Sequence, residues 1–128
     1  MKKRRKQAKK KRCIAFLATS GNIWNAERKE QIQERVIREY AKAHNVQIVG
    51  TVRKNGFAQS YVDQKYEEIL GQVAKKNIDG VIVLNMASIS SNLVDAYTKV
   101  GMMKSVLGEI ITVDEGNLEL KLYQKEAS

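Results

Sequence analysis

Residues 16–22 read Phe-Leu-Ala-Thr-Ser-Gly-Asn, so Ser20 stands in a polar turn directly after an apolar run. Two kinds of chemistry suit such a turn. Backbone N–H groups around Ser-Gly, ahead of a helix, can cradle a phosphate. Alternatively, Ser20 can be a nucleophile, but a bare hydroxyl is inert without a base or strong cations beside it. Attack on a phosphodiester also needs cations around the equatorial oxygens. The later loop 53–60 offers Arg53 and Lys54 as auxiliary cations. His44, the only histidine, follows a helical stretch and reads as a capping or surface residue. No His, Cys and carboxylate grouping has metal-ligand spacing, and neither a metal nor a cofactor is expected.

The charge is concentrated. The 128 residues carry a net charge of +9, with 23 Lys or Arg against 14 Asp or Glu. Nine of those cations fall in residues 1–12: Lys2, Lys3, Arg4, Arg5, Lys6, Lys9, Lys10, Lys11 and Arg12, with no acid among them. Positions 13–128 therefore hold 23 − 9 = 14 basic and 14 acidic residues, a neutral body. A block of like charges repels itself, so residues 1–12 are expected to be a disordered tail. Phosphate binding releases counterions in proportion to the cations engaged, which makes DNA the expected partner of that tail. A tail with no ordered element would not read sequence. The single cysteine, Cys13, points to a reducing, cytoplasmic setting. The six apolar residues 13–18 fall short of a signal peptide's core of about 7–15, and no run approaches the ~20 needed for a membrane helix.

Stepping outward from the turn, strand-like and helix-like segments alternate. Residues 13–18, 46–52, 79–85 and 109–113 read as strands: the first is a short apolar run of buried type and the second is β-branched. The third of these is apolar at nearly every position, the mark of a central parallel strand. A helix is predicted over 26–44, capped by Asn25 and buried along Ile32, Val36, Tyr40 and Ala43, with Asn45 suited to its end. A second is carried by Tyr66, Ile69, Leu70 and Val73 and ends near Lys76 and Asn77. A third, capped by Ser90 or Ser91, is carried by Leu93, Tyr97, Val100 and Met103. Tyr97, Met102 and Met103 read as core, with an exposed partner surface as the alternative. Crossover helices between strands imply a parallel sheet whose ligand site lies beyond the strands' carboxyl ends. The expectation is an α/β three-layer sandwich: a four-stranded, mainly parallel sheet flanked by helices. It would occupy residues 13–116, with 117–128 an extension forming an edge strand or helical turn.

The order and spacing of these segments resemble the catalytic domain of serine recombinases, the resolvase and invertase family, from about residue 12 to 115. Cys-Ile-Ala-Phe-Leu-Ala-Thr-Ser stands where that family has its first strand and nucleophile, and Gln33 at the position of a commonly kept glutamine. Lys-Asn-Gly-Phe-Ala-Gln-Ser sits where an acidic loop is usual. The segment 65–92 matches the second helix, third strand and following loop. The resemblance implies a resolvase-like fold, DNA strand exchange through a phosphoserine link, and Ser20 as the nucleophile. It also implies a cage of charged residues that this sequence lacks. The arginine expected two residues before the serine is Ala18. The loop aspartate and serine fall on Asn55 and Ala58. In the third loop the aspartate and the two arginines fall on Ala87, Ser88 and Ser91, and an arginine at the start of the second helix falls near Asp63. Guanidinium groups hold phosphate bidentately and stay charged, and losing one such donor costs about 3–4 kcal/mol of transition-state stabilisation. The expected function is therefore that of a DNA-binding accessory or regulatory protein in recombination, impaired or inactive in strand exchange. Homodimerisation, or pairing with a full-length recombinase, is the second partner expectation. The family continues into a long dimer helix and a DNA-binding domain, for which the last dozen residues have no room. Two alternatives are an active recombinase cutting through Ser20, and a phosphate or flavin binder. The latter rests on the likeness of the 18–22 turn to a flavodoxin phosphate loop, with Trp24 placed to stack on a flavin.

Overall fold

The computed structural model describes residues 10–18, 23–54, 58–114 and 116–117, with 23–27 and 116–117 described by backbone alone. The Ser20 turn, Asn55 and residues 1–9 and 118–128 lie outside the described residues. The elements run β1 (Lys11–Leu17), α1 (Ile23–Ala43), β2 (Val46–Arg53), α2 (Gln59–Ala74), β3 (Gly80–Val83), a 3-10 turn (Met86–Ser88), α3 (Leu93–Ser105), β4 (Glu109–Thr112) and β5 (Gly116–Asn117). They form one sheet in the order β2-β1-β3-β4-β5. The first four strands are parallel, and the two-residue β5 adds an antiparallel edge.

Side-chain alternation along the strands divides the core in two. Phe16, Val81, Val83 and Ile110 point to the face covered by α2 and α3, where they meet Val62, Tyr66, Ile69, Val73, Val100 and Met103. Cys13, Ala15, Leu17, Ile82 and Ile111 point to the other face, where Ile37 and Ala41 of α1 cover them. All four β3 residues are buried, as expected of a central strand covered on both sides. The α/β three-layer arrangement is thus the one expected. Gly80 is obligatory in it, because a Cβ there would lie 1.9 Å from the carbonyl oxygen of Glu109 on β4.

Several local expectations are corrected. β1 begins at Lys11, so Lys11 and Arg12 belong to the sheet and the tail ends before them. Both are held at the strand start. Lys11 pairs with Glu109 at 2.6 Å, and Asp79 accepts from the Arg12 backbone at 2.7 Å. Helix α1 begins at Ile23, which puts Asn25 inside it. Its buried face runs through Glu30, Ile37 and Ala41, while Ile32 and Val36 are 49% and 36% exposed. Two stripes of helical period coexist in that segment, and contact with the sheet selects the one rotated by about a third of a turn. The cap of α3 is Asn92, whose side chain accepts from Asp95 N, rather than Ser90 or Ser91. Within the trio on α3, Met103 is buried, Met102 half-buried and Tyr97 exposed. Asn45 ends α1 as expected, at φ 62, a left-handed conformation that asparagine tolerates.

Candidate functional site: the cleft at the carboxyl ends of β1 and β3

β1 delivers Ala18 to the carboxyl end of the sheet, and α1 returns over it. Gln33 on α1 clasps the main chain of Ala18 from both sides. Its Oε1 accepts from Ala18 N at 3.2 Å, and its Nε2 donates to Ala18 O at 2.9 Å. The strand exit that leads to Ser20 is thereby fixed to α1. The resemblance marks Gln33 as a commonly kept position; this clasp is what it does here. Beside it lies a cleft of about 350 Å³ lined by Ala18, Lys29, Gln33, Leu84, Asn85, Ala87 and Ser88. Asn85 shapes the far wall by accepting from Ala87 N at 3.1 Å, which closes the 3-10 turn after β3.

The cleft brings together three of the positions where the resemblance implies charged residues, Ala18, Ala87 and Ser88. Ser91 is not with them; it lies exposed at the α3 start, its N–H donating to Asp95 at 3.2 Å. Ala58 is exposed just before α2. Asn55 and Ser20 lie outside the described residues. Among the described residues, no arginine lines the cleft. Arg53 is directed elsewhere: its guanidinium donates to Glu34, which also accepts from Arg38 at 2.9 Å. The Arg53 contact, with Arg38 behind it, holds the Glu34 carboxyl below its usual range. The positive charge of Lys54 acts on Asp63 of α2, while its backbone N–H donates to Leu17 O at 2.9 Å and extends the β1–β2 ladder.

Two features escaped the sequence reading. Lys29 is the one cation lining the cleft among the described residues. It stands four residues before Gln33, a spacing that puts both on one helix face, so locating Gln33 would have located Lys29. The second is Lys99, 4% exposed, which donates to Asp63 at 2.9 Å and Asp95 at 2.7 Å. Gln59 joins the group by donating to Asp63 and to Ile89 O, both at 3.0 Å. Thus the Asp63 carboxylate, near the position where the resemblance implies an arginine, is neutralised from within the fold. Burial pushes the Lys99 ammonium down, but the hydrogen bonds of Asp95 and Asp63 outweigh it and raise its pKa. Burial likewise opposes ionisation of Asp63, yet Lys99 and Gln59 leave its pKa lowered. The Asp95–Lys99 spacing was a usable signal; the third member, from another helix, was not.

A larger groove, about 650 Å³, lies at the opposite end of the strands between Lys10, Lys11, Arg12, Gln47, Asp79 and Glu109. Its strand-start charges are opposite in sign and paired, Lys11 with Glu109 and Arg12 with Asp79, and it sits away from the loops that a parallel sheet uses for ligands. Among the described residues no group of His, Cys, Asp and Glu could hold a metal. No described helix is long and apolar enough to cross a membrane.

The chain is similar in structure to a resolvase-family site-specific recombinase from Streptococcus pneumoniae, with a TM-score of 0.75 over 92% of this chain and 85% of that one. Sequence identity is 17%, and the likeness establishes the resolvase-like fold. No protein-family model and no curated protein matches the sequence.

Proposed function

We propose that this protein is a DNA-binding, recombinase-like domain that does not exchange strands and serves as an accessory or regulatory protein in DNA recombination. The observation that carries the reading is the cleft wall of Ala18, Ala87 and Ser88, where a phosphodiester would need guanidinium groups. Arg53, which sequence offered as a substitute, is taken by Glu34. The basic residues 2–10 supply affinity through counterion release.

Incubation with supercoiled DNA tests the reading. No phosphoserine-linked adduct is expected at a level above that of Ser20→Ala. An adduct abolished by Ser20→Ala makes the protein an active recombinase and defeats the proposal. That second reading has Lys29 in its favour, as a cation lining the cleft. A lone ammonium is nonetheless a point charge that cannot grip two phosphate oxygens at once.

A further inference from the structure

The charge of the body is not spread evenly. On the outward face of α1, Arg28, Arg35 and Lys42 are all exposed and stand seven residues apart. Seven residues are nearly two whole turns, so the three lie almost in line, about 10.5 Å apart and about 21 Å from first to last. Glu34 is engaged by Arg38 and Arg53, which leaves Glu39 as the acid beside the row among the described side chains.

We infer that the outward face of α1 is a second, ordered DNA contact, with Arg28, Arg35 and Lys42 seated on the phosphates of duplex DNA. This rests on the DNA-binding reading above and adds to it a surface on the folded body. A row of about 21 Å exceeds the ≈ 12 Å width of the major groove, so its end cations reach phosphates on both walls. Such contacts position the protein without reading bases. Ile32 and Val36 lie to one side of the row, so the charge alone carries the assignment.

The test is the salt dependence of binding to a short mixed-sequence DNA duplex, with three variants of the full chain. Arg28→Gln/Arg35→Gln/Lys42→Gln should lower the slope of log K against log salt by about 2.7, at 0.9 per phosphate. Lys65→Gln/Lys75→Gln/Lys104→Gln, which removes equal charge from α2, α3 and the turn after α2, should change it by less than about one contact. Glu39→Gln should tighten binding. These positions are on the surface, and unchanged thermal unfolding would confirm that each variant folds. Equal losses in the two triple variants, or tightening absent in Glu39→Gln, overturn the α1 assignment. Binding that falls only on removal of residues 2–9 overturns it while leaving the DNA-binding reading intact. A full chain that does not bind the duplex removes both. Binding of an acidic protein surface at α1, with DNA affinity untouched by the triple variant, also overturns it.

Discussion

Cys13 shows how one residue's chemistry is set by its neighbours. It is fully buried between β1 and α1, and burial pushes its thiol up to about 12, with Asp79 and Glu109 adding to the effect. Only the thiolate reacts, so native Cys13 should alkylate at pH 8 roughly a thousandfold more slowly than the unfolded chain, three pKa units corresponding to that factor. Mass spectrometry of iodoacetamide-treated native and urea-unfolded protein measures this. Equal rates would mean the strand face is open. Gln33 makes the same point for the candidate site. Its identity was noticeable in the sequence, but the bidentate clasp on Ala18 exists only because α1 crosses the end of β1. Lys29 went unnoticed because its one sequence signal, the four-residue spacing to Gln33, marks a site only once Gln33 is known to border the cleft.

Among the elements, α2 and α3 are joined by the Lys99 cluster as well as by apolar packing. Lys99 binds a carboxylate from each helix, and its own carbonyl accepts from Tyr66 on α2 at 2.6 Å. The sign of the pH effect follows from the two shifts. The lowered pKa of Asp63 makes its contribution fully present above the unfolded value near 3.9 and lost as pH falls through the folded one. The raised pKa of Lys99 makes its contribution fully present below about 10.4 and lost as pH rises through the folded value. Lys99→Met should cost about 1.5–3 kcal/mol at pH 7 and flatten both flanks of the stability curve. Urea unfolding at several pH values checks it. An unaltered pH profile in the variant would show that the triad contributes nothing beyond packing. The helices were legible as elements from their periodicity, whereas the buried face of α1 was not. Ile32 and Val36 make as good a stripe as Ile37 and Ala41 until a sheet is placed beneath one of them.

For the molecule as a whole, the proposed DNA contact depends on where the tail ends and the body begins. With Lys11 and Arg12 built into β1, the tail that can be removed without cutting the sheet is residues 2–9, which hold six cations. Deleting them should leave the unfolding temperature unchanged and reduce the salt slope of DNA binding by about 5. Fluorescence anisotropy over a salt series measures the slope. A truncated chain that keeps the full slope would show that the tail is not the arm proposed here.

Strand and helix order and the parallel α/β class were readable in the linear sequence. They depend on residue type and on local period, which any one segment carries by itself. Other features are long-range facts that no segment contains: the face of α1 that is buried, the diversion of Arg53 to Glu34, and the neutralisation of Asp63 by Lys99. Only tertiary structure could decide these, because each rests on which two elements the fold presses together.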